Sequence, residues 1–111
     1  MLNRRHRLLT SDDFRTVLRR GKKTPVDGGL VVVLRTQAEL PIRCGFVVSK
    51  AVGNAVVRNS VKRRLRAACV SMVVDYSGVD VVVRADSRAK DVSVDSWRRN
   101  IKASLDRVGA S

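Results

Sequence analysis

Residues 50–66, KAVGNAVVRNSVKRRLR, decide the organisation of this chain. Asn54 is a good helix N-cap, because its side-chain oxygen can accept a hydrogen bond from a free N–H of the first turn. After it, apolar residues recur at the 3.6-residue spacing of a helix. They are Val57, Val61, Leu65, Ala68, Cys69, Met72 and Val73. The pattern predicts a helix that runs from Asn54 to about Val74.

The other side of this predicted helix is cationic. Arg58, Lys62 and Arg66 are four residues apart and line up one turn above another. Asn59 and Arg63 lie beside them, and the stretch contains no acidic residue. Like charges at this spacing repel by roughly 0.2–0.5 kcal/mol per pair. We interpret the row of cations as a surface for a polyanion; the alternative is a solvated face without a partner.

The charge of the whole chain agrees with a polyanionic partner. The 111 residues are 44% hydrophobic, enough for the core of one domain, and carry a net charge of +13. Such a charge suggests nucleic acid or an anionic surface. Residues 1–23 hold eight bases and two acids, and residues 43–66 hold seven bases and no acid. No secretory signal or membrane span is expected, so we expect a cytoplasmic protein.

The rest of the pattern predicts the order helix, strands, helix, strand, helix. We expect a first helix capped by Ser11, a last helix capped by Ser93 or Asp91, and turns around a short strand at residues 24–29. The predicted first helix covers Ser11–Arg20, and the predicted long strands cover Leu30–Thr36, Ile42–Lys50 and Val79–Ala85. The first two long strands are expected to pair antiparallel. We therefore predict a single-domain α+β fold, an α/β sandwich.

No set of residues suited to catalysis emerges. His6 is the single histidine and lies in a basic N-terminal arm, so we expect a solvated or phosphate-facing imidazole. Cys44 and Cys69 lack metal-type spacing and are expected to be buried free thiols, and Trp97 is expected to anchor the core. The acids are scattered rather than clustered around a metal. We expect neither catalytic residues nor a metal site in this chain.

Three motifs resemble the protein subunit of bacterial ribonuclease P: LNRRHRL (2–8), SDDFRTVLRRGKK (11–23) and VSKAVGNAVVRNSVKRRLR (48–66). The resemblance implies a left-handed βαβ crossover around the central helix, although such crossovers are right-handed in ≈ 98% of proteins. It implies a subunit that binds the catalytic RNA and the 5′ leader of precursor transfer RNA and supports endonucleolytic removal of that leader. The RNA would hydrolyse the phosphodiester with Mg²⁺ that it mainly holds itself.

The resemblance also assigns residues. The RNA-subunit-binding positions would be Arg58, Asn59, Lys62, Arg63, Arg66, Lys50 and Asn54. The leader would lie in a groove between the sheet and the central helix, lined by Phe14, Leu18, Arg15 and Arg35. Ser60 stands where the motif usually has its second arginine, and Arg64 is expected to supply the missing charge. Leu18 replaces a frequent aromatic, so we expect less stacking and more reliance on charge.

Two other functions fit the charge. A ribosome-associated or general RNA-binding protein without a processing role would need the same cations. A DNA-binding helix-turn-helix protein fits less well, because a strand precedes the central helix. In each case we expect residues 1–111 to form one nucleic-acid-binding domain, with residues 1–9 as a basic arm that need not be ordered.

Overall fold

Three helices and a four-stranded sheet are formed by residues 2–109, the part of the chain that the computed structural model describes. Three single turns of 3₁₀ helix occur at Arg4–His6, Lys50–Val52 and Ala89–Asp91. The main elements are, in chain order, α1 (Ser11–Arg20), β1 (Lys22–Val26), β2 (Gly29–Arg35), β3 (Arg43–Val48), α2 (Ala55–Val70), β4 (Val79–Ala85) and α3 (Val94–Arg107). The predicted order of elements and the α+β class are confirmed.

The strand order across the sheet is β1-β2-β4-β3. β1 pairs antiparallel with β2 and β2 antiparallel with β4, whereas β3 and β4 are parallel. The predicted antiparallel pairing of β2 with β3 is therefore wrong, because the later strand β4 lies between them. The segment β3–α2–β4 is a crossover between adjacent parallel strands, as the resemblance implied; its hand stays a prediction.

The sheet separates two apolar cores, because successive side chains of a strand point to opposite faces. On β4, Val81 and Val83 join the larger core under α2 and α3, whereas Val82 joins a smaller core under α1. Trp97 anchors the larger core with no exposed surface, as predicted. The architecture is thus α1, sheet, then α2 with α3. No helix among the residues from 2 to 109 is long and apolar enough to cross a membrane.

The helix caps agree with the sequence at two of three N-termini. Asn54 accepts a hydrogen bond from the N–H of Val57, and Ser93 does the same at α3. At α1 the cap is Thr10 and not Ser11, because the Thr10 hydroxyl accepts from the N–H of Asp13. The helix α2 ends at Val70, about four residues before the predicted end. There the Ser71 hydroxyl donates to the Ala68 carbonyl at 2.7 Å and satisfies one of the terminal acceptors.

The N-terminal segment is held against the outer edge of β3. Leu2 and Leu8 are buried, and the Leu8 N–H donates to the Cys44 carbonyl at 2.9 Å. His6 is only 7% exposed, and its Nδ1 lies 2.8 Å from the Ile42 carbonyl oxygen. The prediction of a solvated or phosphate-facing imidazole is wrong, because this hydrogen bond and the surrounding side chains bury the ring.

Arg43 and the two cysteines tie β3 to its neighbours. The Arg43 guanidinium donates to both Asp80 oxygens on β4, at 3.0 and 2.7 Å, and lies 3.5 Å from Asp13 of α1. Cys44 and Cys69 are buried free thiols, as predicted. The hydrogen bond with Cys44, together with burial, raises the pKa of the Cys69 thiol well above its usual value. The Cys69 thiol is therefore a neutral core residue at physiological pH.

Candidate nucleic-acid interface

The cationic side of α2 has no acidic partner. Arg63 and Arg66 are exposed, and Arg58 and Lys62 are half-buried. None of the ion pairs formed within residues 2–109 includes any of these four side chains. We call these four residues and the exposed Asn59 the α2 ridge. Their mutual repulsion is therefore left uncompensated by the folded chain itself, as the sequence suggested.

Arg58 is the most constrained member of the α2 ridge. Its Nε is buried and has no hydrogen-bond partner in the described structure. An unsatisfied buried donor costs about 1–3 kcal/mol. An external acceptor that reoriented this guanidinium would remove that cost, so Arg58 gains more from an anionic partner than a fully hydrated arginine would.

Arg64 has a different role from the one predicted. Its guanidinium donates to the carbonyl oxygens of Lys90 and Val92, at 2.7 and 3.3 Å, and to the Ser60 hydroxyl at 3.1 Å. These bonds attach α2 to the loop that precedes α3. The structure thus directs Arg64, and Ser60 with it, toward that loop, and the expected replacement of the missing motif arginine is wrong. The charge of Arg64 is shared among internal acceptors.

A tight corner joins β3 to α2 and places Lys50 and Asn54 at the start of the helix. Gly53 has φ = 152° and ψ = −165°, a backbone conformation that is essentially restricted to glycine. A Cβ at Gly53 would also lie 3.0 Å from Val57. Lys50 is exposed in the single turn before this glycine. The corner therefore adds one more cation at the N-terminal end of the α2 ridge.

An open groove runs along α1 on the opposite face of the sheet. Its lining consists of Leu9, Thr10, Ser11, Phe14, Arg15, Leu18 and Val47, and we call it the α1 groove. Phe14 can lie flat against β3 because residue 45 is glycine: a Cβ there would be 2.5 Å from Phe14 Cζ. Phe14, Leu18 and Arg15 are thus brought together as predicted, but between the sheet and α1 rather than between the sheet and α2.

The floor of this region contains an arginine that the sequence analysis missed. Arg84 on β4 pairs in register with Leu30 of β2 and Val47 of β3. All three point to the α1 side, since they alternate with residues of the larger core. Arg84 is exposed and makes no ion pair within residues 2–109. The alternation in VDVVVRA could have indicated its face, had the position of β4 been known.

Arg35 does not reach the α1 groove. It ends β2 two residues after Val33, whose side chain belongs to the larger core, so Arg35 points to the α3 side. There it lines a small cavity with Gly109, just after the end of α3. Arg84, which pairs with the groove residue Val47, is the strand arginine that lies beside the groove instead.

The α1 groove and the α2 ridge meet at the corner after β3. Ser49 and Ala51 line a cavity together with Leu30 and Arg84. Lys50 lies between these two corner residues and leads into α2. This cavity adjoins the α1 groove, because Arg84 pairs with the groove residue Val47, and it leads to the start of the cationic helix.

The acids near this surface are already paired. Asp12 accepts from Arg15 at 3.1 Å, but both side chains are largely exposed, and such pairs contribute little. Asp86, beside the groove floor, accepts from the Arg88 side chain at 2.6 Å and from its backbone N–H at 2.8 Å. The hydrogen bonds from Arg88 lower the pKa of the Asp86 carboxyl. These two acids are therefore paired with arginines other than Arg84.

The described residues do not form a metal site. Nowhere between residues 2 and 109 do three or more His, Cys, Asp or Glu side chains come close enough to hold a metal ion. Within this range, five of the ten acids pair with arginines, as Asp80 does with Arg43 and Asp86 with Arg88. The arrangement of this surface suits the binding of phosphates and bases.

Comparison with known proteins agrees with this geometry. A family model described as Ribonuclease P matches residues 2–109. The chain belongs to this family. The ribonuclease P protein component of Pseudarthrobacter chlorophenolicus is 46% identical over 110 residues, which cover 96% of this chain and 79% of that protein. The component from Kocuria rhizophila is 44% identical over 109 residues, covering 95% and 93%.

Solved structures of the ribonuclease P family share the fold. The ribonuclease P protein of Staphylococcus aureus superposes with a TM-score of 0.76 at 26% identity, over 93% of this chain and 94% of that one. Membership makes the chain a protein component of an endoribonuclease complex, an RNA-binding ribonucleoprotein that acts in tRNA processing.

Proposed function

We propose that the chain binds the catalytic RNA of ribonuclease P through the α2 ridge and holds the 5′ leader of precursor transfer RNA in the α1 groove. The observation that carries this proposal is the junction of the two surfaces at the corner after β3. Ser49 and Ala51 line the cavity beside the groove together with Arg84, and Lys50 between them leads into the ridge. One protein could thereby contact both RNAs at once.

The α2 ridge supports the part of the proposal that concerns the catalytic RNA. Its cations lie on one rigid helix, where a row of phosphates can neutralise them together. Each phosphate contact on single-stranded RNA adds about 0.7 to the negative slope of log affinity against log salt, and about 0.9 on a duplex. Three or four such contacts would make the assembly strongly dependent on salt. Lys50 and Asn54 would extend the same contact.

The α1 groove supports the part that concerns the leader. Phe14 offers an aromatic ring on which one base can stack, worth about 1–3 kcal/mol. Arg84 on the floor and Arg15 on the wall can contact phosphates on either side of that base. A groove with one ring and no base-specific set of donors favours single-stranded RNA of any sequence.

The division of labour follows from the residues present. The chain would lower the repulsion between two polyanions and orient the leader, and its own acids do not gather into a metal site within the described residues. We assign the Mg²⁺ to the RNA, where it would activate the attacking water and stabilise the leaving oxygen. Arginines of the protein would then act by position and charge and would not transfer protons.

The test is cleavage and binding with the assembled holoenzyme. Precursor transfer RNA should be cleaved at low Mg²⁺ only when both the protein and its RNA are present, and cleavage by the protein alone would contradict the proposal. Arg58→Ala should weaken assembly with the catalytic RNA and reduce its salt slope by about 0.7–0.9. Lys102→Ala, an exposed cation on α3, is the matched control. Equal affinity for transfer RNA with and without a leader would favour a general RNA-binding protein.

A further inference from the structure

A second group of cations lies where α1 passes into β1. Arg19 and Arg20 end the helix, and Lys22 and Lys23 begin the strand. All four side chains are exposed, and within the described part of the chain none of them has an ion pair or a side-chain hydrogen bond. We call these four residues the β1 cluster. The α2 ridge cannot account for it, since β1 and β3 form opposite edges of the sheet.

Two structural roles explain only part of the β1 cluster. Cations in the last turn of a helix interact favourably with its dipole, and lysines on an edge strand discourage pairing with other chains. One cation at each place would serve those purposes. Four cations within five residues, without an acid opposite them, repel one another and gain stability when an anion binds. The fold therefore concentrates positive charge here beyond what these roles require.

The α1 groove leads toward this cluster. The helix α1 lies across the sheet, with Phe14 over Gly45 of β3 and Gly21 against Val32 of β2. The open floor row beside it continues from Val47 and Arg84 through Leu30 to Pro25 of β1. On the helix, Arg19 is one turn beyond Arg15, which lines the groove. A strand bound in the groove and directed away from the corner would arrive at Arg19 and Lys23.

We propose that the β1 cluster binds the phosphates of the leader beyond the α1 groove, at its 5′-distal part. The inference rests on the proposed function of the groove and adds that the affinity for substrate depends on the length of the leader. Four strands at about 4.8 Å span roughly 14 Å, and α1 is about 15 Å long. At about 3.4 Å per phosphate along a stacked strand, about four nucleotides fill the groove. Nucleotides farther upstream would then lie on the cluster.

The experiment measures the affinity of the holoenzyme for two precursor transfer RNAs. One has a leader of about four nucleotides, which fills the groove, and the other has a leader of about eight, which extends beyond it. With the unchanged protein, the longer leader should bind about threefold to tenfold more tightly, because exposed charge pairs contribute little each. The double substitution Arg19→Gln with Lys23→Gln should abolish this gain and leave the short leader unaffected. Its salt slope with the long leader should fall by about 1.4, or two phosphates.

Controls separate this proposal from the groove itself. Arg99→Gln with Lys102→Gln removes two exposed cations from α3 and should preserve the gain. If the Arg19 and Lys23 substitutions weaken both leaders equally, or if the unchanged protein gains nothing from the longer leader, the β1 cluster proposal is overturned. Phe14→Leu tests the groove separately, because it should lower the affinity for the precursor with the short leader. An unchanged affinity for that precursor contradicts the groove proposal. The β1 cluster proposal is judged by a different quantity, the gain in affinity from the short to the long leader.

Discussion

Replacing Phe14 by leucine tests the α1 groove most directly. Phe14 is half-buried between α1 and β3, so leucine keeps most of its apolar contact and should cost less than about 1.5 kcal/mol of stability. The ring is lost, and with it the surface on which a base can stack. Of the four Phe, Tyr and Trp residues in the chain, only Phe14 lines the groove. Trp97 and Tyr76 are buried, and Phe46 points to the α2 side.

The magnitude follows from there being one ring in the groove. Stacking on an aromatic residue is worth about 1–3 kcal/mol per base, and the effect should not exceed that of one base. Leucine retains some contact, so we expect a loss of about 1–2 kcal/mol, or roughly fivefold to 30-fold in affinity for substrate with a leader. Mature transfer RNA, which has no leader, should bind as before.

The assay compares dissociation constants of the holoenzyme for transfer RNA with and without a leader. Phe46→Leu is the matched control, because it makes the same change at a half-buried phenylalanine on the opposite face of the sheet. Gly45→Ala provides an independent displacement: its Cβ would lie 2.5 Å from Phe14 Cζ and should move the ring. Equal losses for both RNAs, or the same loss in Phe46→Leu, would refute the reasoning.

Three further predictions concern side chains whose partners are defined. Arg64→Ala should lower the free energy of unfolding by about 0.5–1.5 kcal/mol, because the Lys90 and Val92 carbonyls lose their donor, yet leave the salt slope of RNA binding unchanged; a smaller slope would contradict its assignment. Arg43→Ala should cost about 2–3 kcal/mol by leaving the Asp80 carboxylate buried without its partner, and thermal unfolding should show the double change with Asp80→Ala to be less than additive. Burial and the bond to Asp106 raise the pKa of Tyr76 to about 12 from 10.0, so the folded state favours the neutral phenol. That contribution is complete below pH 10 and lost as pH rises through 12, and absorbance titration of this single tyrosine should show the high midpoint.

The sequence predicted elements better than their arrangement. Periodicity identifies the face of a helix or strand that is buried, so α2, α3 and the three long strands were found with their inward residues. It does not identify which strand is the neighbour of which. Short connections suggested that β2 and β3 pair, but the two most continuously aliphatic strands, β2 and β4, take the centre, where both faces are covered.

The errors in the site have the same origin. Arg35 and Arg84 are both arginines near the ends of aliphatic strands, and only the strand order and alternation place Arg35 on the α3 side and Arg84 beside the α1 groove. The sequence predicted a solvated or phosphate-facing His6 and an Arg64 that supplies charge to the RNA contact. Each instead binds a carbonyl oxygen distant along the chain, and such acceptors leave no trace in local spacing.

The central position of β4 has a consequence for synthesis of the protein. A ribosome that has completed α2 has already made the entire ridge, but no strand yet connects β3 to β2. Long-range pairing of this kind slows folding, because chain entropy is lost before the contacts form. The nascent chain thus carries its cations on a helix that lacks the completed sheet beneath it until β4 has been added, and stable capture of RNA should await the pairing of that strand.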